Sequence, residues 1–186
     1  AWFDNSEKTP FSRGQHISDA PDSLDVISMM YPAELAAFEL VDMQTVHAKG
    51  TKVVYTISFD KIQKEYTEKV KEGTETGSFD TYLKSEMDKQ IGYARSFDGM
   101  ITEYKGNNPI YMSAEQKAEA KKYQDIFFSA VLTWKTANAD KLLTFQGYPE
   151  NLIEQTILTN CKHIILATDN VTDDAQLSVF ARLAMA

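Results

Sequence analysis

SFDGMITEYKG, residues 96–106, decides the fold because this short apolar run lies between two long helix-like segments. Residues 79–96 precede it with apolar residues at helical spacing, and a second helical segment runs from Ser113 to about residue 137. Ser113 and Gln116 have the spacing of a capping box, which marks the start of that second helix. A strand between two helices predicts a β/α unit, and such units build parallel sheets.

The same alternation extends along the whole chain. Strands are predicted over residues 24–31, 51–59, 97–104, 141–148 and 161–169, and AWFDN (1–5) has the pattern of the end of one more. Helices are predicted over residues 33–50, 79–96, 113–137, 149–159 and 173–185. Two architectures fit: an open doubly wound sheet, or an eight-unit β/α barrel present in part. No glycine-rich phosphate loop follows a strand, which disfavours a nucleotide-binding sheet.

Composition narrows the possible partners and chemistry. The net charge is −8 and the 19 basic residues are dispersed, so neither nucleic acid nor an anionic membrane is expected as a partner. Cys161 is the only cysteine, which excludes an internal disulfide. His16, His47 and His163 have no acidic or histidine partner at ligand spacing, so we expect no metal and no cofactor. The length predicts one domain over residues 1–186.

The carboxyl ends of the predicted strands are where either architecture places its function. These ends combine aromatic rings with amide and acidic groups, at Trp2, Tyr31, Tyr104, Gln146, Tyr148, Asp169 and Asn170. Flat rings can stack on sugar C–H groups, while amides and carboxylates can pair with hydroxyls. We therefore predict a glycan-binding site from these residues. The alternative, that the rings only close the top of the fold, stays open.

The strand FDGMITEY (97–104) resembles the signature strand of glycoside hydrolase family 18, written Asp-Gly-x-Asp-x-Asp-x-Glu at the end of the fourth barrel strand. PDSLDVISMMY (21–31) is similar to the family's second strand and KGTKVVYTISF (49–59) to its third. Within this family, the sequence of these strands is most similar to a Bacteroidetes branch related to endo-β-N-acetylglucosaminidases. The resemblance spans the chain and implies a (β/α)8 TIM barrel with about the first six units present, strands seven and eight lying beyond residue 186.

Taken position by position, the resemblance implies a degenerate motif. Asp98 and Gly99 match the opening pair, and we expect Asp98 to lie close to Glu103 and Lys105. Ile101 stands where the first acid of the catalytic trio belongs, and Glu103 takes the place of the acid that orients the substrate acetamido group. Lys105 stands where the catalytic glutamic acid belongs. Residues 101, 103 and 105 alternate along a strand, so they are expected on one face, towards the pocket.

The family's hydrolysis explains why these changes matter. The sugar's own acetamido oxygen attacks, which departs from the usual two-carboxylate scheme, and the enzyme supplies one general acid. General acid catalysis is worth roughly 10²–10⁴-fold, and a lysine ammonium, with a reference pKa of about 10.4, does not replace a carboxyl in this role. We therefore predict a domain that has lost catalysis and binds N-acetylglucosamine-containing glycan, of N-glycan or chitin type.

Two alternatives remain open at this point. One is an active endo-β-N-acetylglucosaminidase or chitinase-like glycosidase, using Glu103 or a displaced acid from Asp60, Asp169 or the strands expected beyond residue 186. The other is a scaffold that binds protein and no sugar. The resemblance also implies export, as an outer-membrane surface lipoprotein or to the periplasm. It further implies partnership with glycan-uptake proteins of the outer membrane.

Overall fold

The structure, a computed structural model, describes residues 1–168 and 171–185. In these residues six strands form one sheet: β1 (Trp2–Phe3), β2 (Val26–Met29), β3 (Lys52–Ser58), β4 (Gly99–Tyr104), β5 (Leu142–Gly147) and β6 (His163–Leu166). Every neighbouring pair is parallel and the order is β1-β2-β3-β4-β5-β6. A doubly wound sheet reverses its strand order at a switch point. The consecutive order therefore identifies a half-barrel, which is part of a (β/α)8 barrel.

Helices cover one face of the sheet. They are α1 (Ala37–Ala48), α2 (Phe59–Lys71), α3 (Phe79–Gly92), α4 (Ala114–Ala137), α5 (Thr156–Thr159) and α6 (Asp174–Met185). Short 3₁₀ helices occur at Arg13–Gln15, Ile17–Asp19, Tyr93–Ser96, Pro109–Tyr111 and Pro149–Asn151. Within the described ranges, no helix is both long enough and apolar enough to cross a membrane.

The long helix α4 begins where the sequence predicted. The Ser113 side-chain oxygen accepts the Gln116 N–H at 3.2 Å, and Gln116 Oε1 accepts the Ser113 N–H at 2.9 Å. These two bonds satisfy backbone donors that the first helical turn cannot pair internally. The predicted capping box is therefore confirmed.

Three of the predicted element bounds are wrong. Phe59 does not end β3; it begins α2, a helix that was not predicted, because the Ser58 hydroxyl accepts the Lys61 N–H at 3.3 Å and caps a new turn. The predicted helix over residues 149–159 is a 3₁₀ turn and a single α-helical turn. The first helix begins at Ala37 and not at residue 33. Its start is marked by the Ala36 N–H, which donates to the Glu39 carboxylate at 2.5 Å.

The two faces of the sheet differ in what they contact. One face packs against the helices and supplies the hydrophobic core, with Tyr55, Met100 and Phe145 completely buried beneath α3 and α4. Strand register and the alternation of side chains place the other residues on the opposite face. We call this the inner face, and its members are Trp2, Val26, Ser28, Lys52, Val54, Thr56, Ser58, Gly99, Ile101, Glu103, Leu142, Thr144, Gln146, His163 and Ile165.

Candidate functional site

The opening pair of the motif, Asp98 and Gly99, lies at the amino end of β4 and holds β4 against the two neighbouring strands. The Val53 N–H donates to Asp98 Oδ2 at 2.7 Å, and His47 Nε2 contacts the same oxygen at 2.6 Å. A Cβ at Gly99 would lie 1.9 Å from the Leu142 carbonyl oxygen, so only glycine permits β5 to approach this closely. Both residues therefore have a structural role.

Asp98 does not lie beside Glu103 and Lys105, which corrects the prediction from the sequence. Five residues of extended chain separate Asp98 from Glu103, a distance of about 16 Å at 3.3 Å per residue. The histidine contact was also missed, because His47 and Asp98 are 51 residues apart in the chain. His16 has a similar distant partner, with its Nδ1 2.7 Å from Asp42 Oδ2. Neither pair has a spacing that a sequence pattern could reveal.

A polar row crosses the inner face at the carboxyl ends of the strands. Ser58, Glu103 and Gln146 are in register on β3, β4 and β5. The Gln146 Nε2 amide donates to Glu103 Oε1 at 3.0 Å. The other amide atom, Gln146 Oε1, is buried and has no hydrogen-bond partner among the described residues. A buried acceptor of this kind is costly unless a ligand or water fills it.

Ile101 occupies the inner face one row below. It is 4% exposed and lies in register between Thr56 on β3 and Thr144 on β5. The position that holds an acid in the family motif is therefore an apolar side chain flanked by two hydroxyls. The sequence prediction that residues 101 and 103 share one face agrees with this register.

The exit of β4 is fixed by contacts to its backbone. The Lys105 N–H donates to Asp60 Oδ2 at 2.9 Å and the Gly106 N–H to Asp60 Oδ1 at 3.4 Å. The Asn151 side-chain amide donates to the carbonyls of Lys105 at 2.6 Å and of Gly106 at 3.1 Å. Because both oxygens of Asp60 accept backbone N–H groups, Asp60 holds this loop in place.

Tyr104 was predicted to contact glycan at the end of β4, but the structure places its ring away from the row of Glu103 and Gln146. It is 3% exposed and packs on the helix side of β4 against Phe59 and Phe128. Its hydroxyl accepts a hydrogen bond from the Gln124 amide at 2.9 Å, and burial raises the pKa of this phenol. The physical reason is alternation, because residue 104 points away from the face that carries residue 103.

The remaining predicted site residues lie at different places on the sheet. Trp2 is in register with Ser28, and so lies in the row of Gly99 and not in the row of Glu103. Tyr148 follows Gln146 by two residues and begins the Pro149–Asn151 turn. Tyr31 borders a cleft of about 460 Å³ that reaches Thr56 and Ser58 at the end of β3. Asp169 and Asn170 lie outside the described residues.

A buried polar cluster that the sequence did not reveal supports Tyr31. The Asn5 side chain donates to the Tyr31 carbonyl at 2.9 Å and accepts the Tyr31 N–H at 2.8 Å. The same amide donates to Glu39 at 2.8 Å, and Lys8 lies 3.0 Å from both Glu39 oxygens. These contacts join segments more than 25 residues apart, so no local pattern could have indicated them. In the described part of the chain, no cluster of His, Cys, Asp and Glu could hold a metal ion.

Six consecutive parallel strands with polar groups at their carboxyl ends define a β/α-barrel domain that carries its site at that edge. The family model described as "Glycoside hydrolase family 18, BT1044-like" matches residues 1–186. The chain belongs to this family.

Solved structures agree on the fold. A selenomethionine variant of BT1044 is 17% identical with a TM-score of 0.56, and the match covers 89% of this chain and 55% of that one. PbGH5A, a glycoside hydrolase family 5 enzyme from Prevotella bryantii B14, is 11% identical with a TM-score of 0.39, covering 85% of this chain and 56% of that one. The second likeness is too weak to carry an argument. The chain thus spans about half the length of these solved chains. A search of the curated proteins finds no match.

Proposed function

We propose that this domain binds a glycan containing N-acetylglucosamine on its inner face and has lost the ability to hydrolyse it. The observation that carries the proposal is the Glu103–Gln146 pair. Its carboxylate and amide are joined at 3.0 Å, and the amide retains a buried acceptor, Gln146 Oε1, with no partner among the described residues. A sugar hydroxyl or an acetamido N–H is a donor that fits this acceptor.

Loss of catalysis follows from the neighbours of Glu103 on the same face. A glycosidase of this family needs a carboxyl as general acid and a second acid to orient the acetamido group. Here Ile101 is buried between two threonines, and position 105 carries an amine. On the inner face of the described strands, Glu103 is the one carboxylate. A single carboxylate paired with an amide is suited to hydrogen bonding a sugar.

Aromatic rings would supply the apolar part of recognition. Tyr31 is half exposed beside the cleft at the end of β3, and Trp2 is more than half exposed. Tyr148 lies two residues after Gln146, at the start of the Pro149–Asn151 turn that follows β5. Rings at these places can stack on the C–H faces of sugars while the polar row binds hydroxyls.

The proposal extends to the cellular setting. We propose that the protein is exported to the outer-membrane surface or the periplasm and cooperates with glycan-uptake proteins of the outer membrane, as the resemblance of its sequence implies. Protease digestion of intact cells, with detection of this chain, tests the surface location. Digestion of the protein on intact cells supports a surface location. Full protection on intact cells, with digestion only after lysis, contradicts it.

Calorimetry and product analysis test the binding proposal on the same samples. The full-length protein is titrated with chitotriose and with an N-glycan core oligosaccharide, and the mixtures are then analysed by mass spectrometry. We expect heat of binding and intact glycan. Glu103→Gln should weaken binding, while Glu68→Gln, a change on an exposed helix surface, should not.

Three outcomes would overturn the proposal. Release of new reducing ends that disappears in the Glu103→Gln variant would identify an active glycosidase. Absence of heat with every glycan would leave a scaffold that binds protein. Binding that survives Gln146→Ala unchanged would remove the inner face as the site.

A further inference from the structure

The loop that leaves β4 presents two large apolar side chains to solvent. Ile110 is 82% exposed and Tyr111 is 87% exposed. The loop is nevertheless ordered by its own contacts: Asn108 Oδ1 accepts the Ile110 N–H at 3.0 Å, and Pro109 begins the 3₁₀ turn that ends at Tyr111. At its start the Gly106 N–H is held by Asp60. Two adjacent exposed side chains on a fixed turn are a feature of contact surfaces.

Tyr111 borders a groove of about 510 Å³ between this loop, the start of α2 and the first turns of α4. This volume lies within the roughly 300–1,000 Å³ of small-molecule sites. The rings of Tyr111 and Tyr123 and the side-chain amides of Gln63, Asn107, Asn108 and Gln116 line the groove, and the buried rings of Phe59 and Tyr104 form its floor. Glu119 is the one charged group that lines the groove. The groove is therefore rich in rings and neutral hydrogen-bonding groups.

Two of the amides are oriented by the backbone. Asn108 Oδ1 accepts the Ile110 N–H, and Gln116 Oε1 accepts the Ser113 N–H at 2.9 Å. Since the carbonyl end of each amide is occupied, the NH₂ end is the one available to a ligand. Glu119 Oε1 accepts the Tyr123 hydroxyl at 3.2 Å, which leaves its second oxygen as an acceptor. The groove thus offers donors to hydroxyl or acetamido oxygens and an acceptor for one hydroxyl.

The groove is separate from the polar row of Glu103 and Gln146. Tyr104 and Phe59 belong to the helix side of the sheet, whereas Glu103 lies on the inner face. The two places are joined by one short segment, since the loop that starts at Lys105 reaches Tyr111 six residues later. An oligosaccharide longer than the inner-face site could therefore continue over this loop.

We propose that the groove is a second glycan subsite, in which Tyr111 stacks on a sugar ring and the Asn108 and Gln116 amides donate to hydroxyl or acetamido oxygens. The inference rests on the proposed function only for the class of ligand. It adds a place on the helix side of β4 that the family motif does not include.

Calorimetry with chitotetraose and an N-glycan core oligosaccharide tests the subsite in the full-length chain. Tyr111→Ala should lower affinity about three- to tenfold, the range expected from loss of one aromatic contact. Tyr111→Phe keeps the ring and should bind as the parent does. Phe11→Ala is the matched control, because Phe11 is also 87% exposed and does not line the groove. Both positions are at the surface, so thermal unfolding should be unchanged in all three variants.

A comparison with Gln146→Ala separates this inference from the proposed function. If Gln146→Ala weakens binding and Tyr111→Ala does not, the inner-face site stands and the second subsite is wrong. If only Tyr111→Ala weakens binding, the groove stands and the inner-face site is wrong. Glycan affinity that is lost equally in Phe11→Ala and Tyr111→Ala would also contradict a specific role for the loop. A peptide bound through Tyr111 in the absence of any glycan heat would overturn the ligand class.

Discussion

The two ends of β4 carry the two halves of one family motif, and they have diverged to different degrees. At the amino end Asp98 and Gly99 match the motif, and each makes a contact that holds strands together. At the carboxyl end positions 101, 103 and 105 depart from it. At that end the side chains of Asp60 and Asn151 hold the loop after β4 through hydrogen bonds to its backbone.

The difference separates residues that hold the barrel strands together from residues that line its inner face. The Asp98 carboxylate accepts the Val53 N–H, and the absence of a side chain at Gly99 lets β5 approach β4 closely. A substitution at either position therefore disturbs the pairing of the strands. Ile101 and Glu103 lie on the inner face, away from the hydrophobic core, so their identity can vary while the strand remains in place. A barrel can therefore lose its catalytic groups without losing its fold.

The largest expected effect is at the amino end. Gly99→Ala would place a Cβ 1.9 Å from the Leu142 carbonyl oxygen, forcing β4 and β5 apart. We expect a loss of about 3 kcal/mol or more in the free energy of unfolding, measured by urea denaturation.

The reactivity of the Cys161 thiol gives a second measure of this unfolding. Burial raises the pKa of this thiol to about 12, so a thiol reagent at pH 8 should react slowly until the chain unfolds.

Gly92→Ala is the control for this substitution. A Cβ at Gly92, the last residue of α3, would meet nothing within 4 Å. Stability should stay the same or increase by up to about 1 kcal/mol, because alanine favours the helix. Equal stability of the two variants would contradict the close approach of β4 and β5.

The second effect is the loss of the Asp98 carboxylate. Asp98→Ala leaves the buried Val53 N–H without its acceptor and removes the contact to His47, at a cost of about 1–3 kcal/mol. Asp98→Asn retains an acceptor and should cost less, while Asp88→Ala, on an exposed part of α3, should be neutral. Glycan affinity should be unchanged in all three, since Asp98 is at the opposite end of β4 from the polar row. Weaker glycan binding in Asp98→Asn would contradict this separation.

The sequence predicted the barrel well because its signals are local. Apolar runs such as residues 51–59 and the Ser113–Gln116 capping box depend on neighbours within a few residues. Helix α2 was missed because Phe59 fits the end of an apolar strand as well as the start of a helix. The deciding contact is the Ser58 cap on the Lys61 N–H.

The site was less predictable because its contacts join distant segments. Alternation correctly separated residues 101 and 103 from their neighbours, but Tyr104 was counted with them because it also lies at the strand end. The Gln146–Glu103 bond spans 43 residues and the Asp60 contact to Lys105 spans 45. No periodicity in the chain encodes such pairs; only the register of the parallel strands brings them together.

At the carboxyl end of β4 we expect substitutions to affect glycan affinity more than stability, the opposite of what we expect at the amino end. Glu103→Gln should change the free energy of unfolding by no more than about 1 kcal/mol, because Glu103 lies outside the hydrophobic core and the β4 exit is held through its backbone. Affinity for chitotriose should fall about tenfold, as expected for loss of a charged hydrogen-bonding group. Urea denaturation and calorimetry measure the two effects. A large loss of stability with unchanged affinity would make Glu103 a structural residue like Asp98.

The smallest effect concerns Tyr104, which shares the end of β4 with Glu103 but faces the helices. Tyr104→Phe removes the hydroxyl that accepts the Gln124 amide, while Gln124 keeps its bonds to the Asn151 carbonyl and the Ile153 N–H. We expect a loss of about 1 kcal/mol in stability and no change in chitotriose affinity, because the ring is buried on the side of the sheet opposite the polar row. The matched change Tyr148→Phe, at the turn that follows the strand of Gln146, should affect binding more than stability. If Tyr104→Phe weakens chitotriose binding more than Tyr148→Phe does, the division of β4 into a core face and a binding face does not hold.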